Sequence, residues 1–81
     1  MTKWTNYPVS VHEAQQRLGF APATLPNRAE IGAYVIAENC VVVLYEGPGA
    51  AQMTELTTKK DRKTGVISTS TAVRARPGGG R

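Results

Sequence analysis

Ile31-Gly32-Ala33-Tyr34-Val35-Ile36-Ala37, then Glu38-Asn39, then Cys40-Val41-Val42-Val43-Leu44-Tyr45: the fold is decided in this stretch. Both apolar runs are rich in β-branched and aromatic residues, which suit a pleated surface better than a helix. Glu38-Asn39 between them supplies turn chemistry, and Asn tolerates positive φ, so a tight hairpin is the expected connection. The second run is apolar at successive positions, hence on both faces, which marks a central strand.

Toward the C-terminus, Glu46-Gly47-Pro48-Gly49 reads as a turn. Ala51 to Thr58 then alternates Met53 and Glu55 on one face with Thr54 and Leu56 on the other, a third strand. Lys59-Lys60-Asp61-Arg62-Lys63-Thr64-Gly65 reads as a charged loop, and Val66 to Val73 as a Thr/Ser-rich fourth strand at an edge. Arg74 to Arg81 has no means of burying anything and is expected to be disordered in isolation.

Toward the N-terminus, Pro22 and Pro26 forbid a helix and make Phe20 to Asn27 an extended crossing. Before it, Ser10-Val11-His12-Glu13 has capping-box spacing, with Ser10 accepting from the first turn and Glu13 reaching back to the Ser10 N–H. Val9 and Ala14 suit a hydrophobic staple, Val11, Ala14 and Leu18 form one face, and Gly19 is a left-handed stop with Phe20 packing back. The spacing predicts a helix over Val11 to Leu18, preceded by an extended arm carrying Trp4 and Tyr7. The expected architecture is α+β: one short N-terminal helix packed on a four-stranded antiparallel meander, a single domain over residues 1–73 with a basic tail over 74–81. The helix covers only part of such a sheet, so either the aromatic arm or another chain must cover the rest, and a homo-oligomer is one expected outcome.

An 81-residue chain has room for one hydrophobic core, and 41% apolar against 20% charged residues describes a folding chain. No apolar run reaches the 18 to 20 or so residues that span a bilayer, and Met1-Thr2-Lys3-Trp4-Thr5-Asn6 lacks an apolar signal region, so no membrane and a cytoplasmic location are expected. The net charge of +4 is segregated. Through Thr57, three bases stand against five acids (−2); from Thr58 onward, seven bases stand against Asp61 alone (+6). A cationic end attracts polyanions, which points to nucleic acid or to an acidic protein surface; a solvated turn with a solubilising tail is the plainer reading. The residues that would carry such recognition are Lys59, Lys60, Arg62 and Lys63 in the loop and Arg74, Arg76 and Arg81 in the tail. Tyr34 and Tyr45, on facing strands of the hairpin, would be stacking groups or else a cross-strand pair in the core.

Signals for catalysis are sparse. His12 is the one histidine and Cys40 the one cysteine; a nucleophile and base made from them would need a spatial meeting and an orienting third group that nothing specifies. Cys40 reads instead as a small buried hydrophobe. No ligand spacing for a metal is present, Glu46-Gly47-Pro48-Gly49-Ala50 lacks the Lys-Ser/Thr of a phosphate loop, and no cofactor is expected.

Ser10-Val11-His12-Glu13-Ala14, Leu18-Gly19-Phe20, Pro22 and Leu25-Pro26 resemble an uncharacterised bacterial domain family with a Ser-x-x-Glu-Ala helix, a Gly-Phe stop, a Pro-x-x-Leu-Pro crossing and an antiparallel sheet. Such domains occur in envelope and anti-sigma-associated proteins. The likeness covers residues 9–26, departs at Asn27-Arg28 and in the basic end, and implies an architecture with no catalytic residues to carry over.

Together these features lead to the expectation of a small non-enzymatic protein-interaction module, such as a stand-alone inhibitor or regulator from a phage or mobile element. The alternative is a nucleic-acid-binding protein using the 59–63 loop and the Arg/Gly tail.

Overall fold

The computed structural model describes residues 7–75. Its elements are α1 (Val11–Leu18), β1 (Glu30–Ala37), β2 (Cys40–Glu46), β3 (Gln52–Lys60) and β4 (Ile67–Ala75). The strands form one antiparallel sheet in the order β1-β2-β3-β4, and α1 packs on β1 and β2. The expected α+β meander is therefore the observed one. Trp4, Arg76 and Arg81 lie outside the described residues.

The helix begins where Ser10, in extended conformation, accepts the Glu13 N–H on its side chain at 3.1 Å. It ends at Gly19, whose φ of 84° is left-handed and whose N–H returns to the Gln15 carbonyl at 2.8 Å. The reciprocal half of the expected capping box is replaced. Glu13 turns along the helix to Arg17 at 2.8 Å, and Glu30 at the start of β1 accepts the Val11 N–H at 3.1 Å. An acidic side chain thus still meets the positive end of the helix, but it comes from the sheet.

Ala33 and Val35 of β1, Val41, Val43 and Tyr45 of β2, and Leu56 of β3 share the face beneath α1, and with Val9 and Ala14 they form the core. Val11 and Leu18 of the helix and Ala23 and Leu25 of the crossing close it from above. The crossing is pinned at mid-length, where the Ala23 N–H donates to the hydroxyl of Thr58 at 3.0 Å. Thr58 is 1% exposed, so its polar atom is satisfied within the protein rather than by solvent.

Two details of the first hairpin differ from expectation. Among the described residues none other than glycine has positive φ, so Asn39 does not supply a left-handed turn. Its side-chain amide instead donates to the Lys60 carbonyl at 2.8 Å, while its own carbonyl accepts the Lys60 N–H at 2.8 Å, tying the turn to β3. The register shifts at Ile31 and again at Ile36, and both isoleucines, apolar by composition, are turned out to solvent as the extra residues of bulges.

β1 is one edge of the sheet, and the arm bridges it at Ala33. Val9 and Ala33 exchange backbone hydrogen bonds at 2.9 and 2.8 Å. This approach requires Gly32, because a Cβ there would collide with the Cβ of Pro8. Gly47 meets a similar constraint in the second turn, where a Cβ would fall 2.6 Å from the Gln52 carbonyl carbon.

Two substitutions test this account. Thr58→Val keeps the shape but orphans the Ala23 N–H, and is expected to lower unfolding free energy by about 1–2 kcal/mol in chemical denaturation. Gly32→Ala is expected to detach the arm, seen as faster amide exchange at Val9 and Ala33, with a loss of about 1–3 kcal/mol.

Candidate functional site

β3 and β4 form a hairpin whose turn carries the basic cluster. β3 runs on through Lys60, so Lys59 and Lys60 belong to the strand rather than to the loop; the ladder is prolonged because Asn39 bonds both backbone groups of Lys60. Successive strand residues point to opposite faces, so Lys59 and Lys60 diverge across the sheet. The Lys60 ammonium lies over the buried Phe20 ring, 5.9 Å from its centroid, on the helix side. There it lines a shallow cleft of about 350 Å³ with Leu18, Phe20, Glu38, Asn39 and Arg62. Lys59 lines a separate cleft of about 420 Å³ with Asp61, Thr64, Val66 and Ser68.

The turn itself is built by Asp61. Its carboxylate accepts the Lys63 N–H at 2.8 Å and the Thr64 N–H at 3.1 Å, and its carbonyl accepts the N–H of Gly65, whose φ is 77°. The Thr64 hydroxyl then accepts the Val66 N–H at 3.2 Å. Asp61 accordingly organises the positions of Arg62 and Lys63. The N–H groups of Thr64 and then Lys63, favouring the charged form, hold its carboxyl below the ordinary aspartate range.

Arg74 lies in β4 rather than in a tail, opposite Met53. Its guanidinium pairs with Glu55 at 2.8 Å. Seven residues of extended chain, roughly 23 Å, separate it from Ile67 at the turn end, so Arg74 and the basic turn do not merge into one patch.

The two tyrosines do not meet. Tyr34 sits opposite Val42, half-buried on the face away from the helix, whereas Tyr45 is 3% exposed in the core and offers no ring face to a ligand. Burial pushes the Tyr45 hydroxyl up, offset by a hydrogen bond with the Leu25 backbone. His12 and Cys40 also separate. His12 is exposed on α1, within 3.2 Å of the Gln16 amide, while Cys40 alternates with the core residue Val41 and so lies on the sheet's other face, where burial raises its thiol.

A feature that composition alone passes over is the extent of exposure. Every residue from Asp61 to Ala75 is exposed, including Val66 at 62%, Ile67 at 46% and Val73 at 54%. Ile67, Thr69, Thr71 and Val73 continue the same face that β1 to β3 bury, because they stand opposite Lys60, Thr58, Leu56 and Thr54. The weak apolar content of Val66 to Val73 was a legible sign of an edge, but not of a strand bare on both faces.

No family model, curated protein or solved structure matches the chain. Among the described residues no helix is long and apolar enough to cross a membrane.

The Asp61 turn predicts a pH response of defined sign. A depressed carboxyl stabilises the folded turn above its unfolded value, about 3.9, and that contribution is lost as pH falls through the lower folded value. Amide protection of Lys63 and Thr64 should hold down to about pH 4 and decline below it. Asp61→Asn should abolish the pH dependence, and Asp61→Ala should lower protection at every pH.

Proposed function

We propose that this chain is a non-enzymatic protein-interaction module of the cytoplasm, acting as a small regulator or inhibitor, with the β3–β4 hairpin as its recognition arm. The observation that carries this reading is the unbroken exposure from Asp61 to Ala75, in which branched apolar residues stand in solvent on an ordered strand. Lone exposed apolar side chains are ordinary on a protein surface; what supports contact here is an ordered strand left bare on both faces. Arg62 and Lys63, held out by the Asp61 turn, add a cationic tip suited to steering the arm toward an acidic protein surface.

Nucleic-acid binding is less well supported. Phosphate tracking calls for a run of cations with stacking rings, whereas Lys59 and Lys60 diverge, Lys60 and Arg62 share their cleft with Glu38, Arg74 is paired with Glu55, and Tyr45 is buried.

Capture from nuclease-treated lysate separates the two readings. The wild-type chain should retain a specific protein, and Arg62→Glu with Lys63→Glu should weaken that retention at least tenfold. If nothing is retained after nuclease treatment, while an oligonucleotide shifts at low salt and is released as salt rises, the nucleic-acid reading replaces this one.

A further inference from the structure

The two edges of the sheet are treated differently. Val9 bridges β1 at Ala33, with Pro8 packed beside Gly32, whereas among the described residues no strand pairs with the outer side of β4. Open edges are normally blunted by an inward charge or a proline, and β4 has neither between Ile67 and Val73.

The phase of the ladder shows which backbone groups are offered. The Asp61 N–H donates to the Val66 carbonyl at 2.8 Å, and bonded pairs alternate along an antiparallel ladder. Ser68, Ser70, Ala72 and Arg74 therefore turn their backbone groups to β3, while Ile67, Thr69, Thr71, Val73 and Ala75 turn theirs outward. The Gly47 N–H bond to the Gln52 carbonyl sets the same phase from the β2 side of β3.

We infer that β4 pairs antiparallel with β4 of a second copy of this chain, about a twofold axis through Thr71, joining the two sheets into one. This register uses the whole strand and matches every outward donor with an acceptor, giving about ten inter-chain hydrogen bonds. It sets Thr71 against its own copy, Thr69 against Val73 and Ile67 against Ala75, so no charge lies in the facing row. Arg74, the strand's one charge, falls opposite Ser68 and is already paired with Glu55 of its own chain. That self-complementarity selects a second copy over a foreign strand. The contact area, on the order of 1,000 Å² in total, sits at the small end of specific interfaces, so the dimer is expected to exchange with monomer rather than to be permanent. The inference does not rest on the protein-binding reading, which assigns the partner to the exposed hairpin and its cationic tip.

Sedimentation from 1 to about 200 micromolar tests it, with a dimer expected to form across that range and not to weaken as salt rises. Thr71→Lys sets two ammonium groups opposite each other and should raise the dissociation constant at least tenfold, with circular dichroism unchanged because Thr71 is exposed in the monomer. Thr71→Cys should cross-link into a dimer under mild oxidation, since residues facing each other in a bonded pair have Cα atoms about 5.5 Å apart. Ile67→Cys, whose copies would lie roughly 26 Å apart, should not, nor should the wild-type chain with its buried Cys40. A monomer throughout, or cross-linking that ignores position, overturns the inference. A monomer that still captures a protein leaves the binding-module reading standing, and a dimer that captures none does the reverse.

Discussion

A single short helix, about 10 Å across, can roof two strands spaced about 4.8 Å apart and no more. Much of this molecule follows from that mismatch between one helix and four strands. α1 takes β1 and β2; the proline-braced crossing, tied to Thr58, reaches over β3; and no described segment is left to cover β4. The chain thus divides into a buried part, where the Thr58 hydroxyl finds its partner in the Ala23 N–H, and a projecting hairpin maintained by its ladder to β3 and by the Asp61 turn.

Much of this was legible in the sequence because local chemistry and global fold agree. Ser10 and Gly19 mark the helix ends at the observed residues, and the run from Cys40 to Tyr45 is central because it is apolar on both faces. What escaped detection depends on contacts distant in the chain. Glu30 displaces Glu13 at the helix start because β1 brings it there, and Ile31 and Ile36 are expelled by register shifts that no periodicity encodes. Gly32 looks like an interruption in a strand until Pro8 is seen to need the space.

The site was only half legible. Lys59, Lys60, Arg62 and Lys63 read as one cationic loop from their adjacency, but extension of β3 through Lys60 sends the first two to opposite faces. Tyr34 and Tyr45 share a hairpin without sharing a side of it, and Arg74 proved to be a strand residue neutralised by Glu55. The exposure of β4 was hidden for a different reason. A Thr/Ser-rich strand has the same composition whether it is a wet edge or a contact surface, and only the reach of the segments above the sheet distinguishes them.

The Val9 bridge gives the sheet a valence. With β1 bridged at Ala33 by its own arm, the described residues leave β4 as the border with no strand beside it, so the edge-to-edge pairing proposed for β4 would end at a closed pair. Were the arm to peel away, each chain would be sticky on both sides and could add neighbours without limit, which is the geometry of a fibre. In such a pair, two backbone bonds and the missing side chain of Gly32 would stand between a finite complex and an endless one.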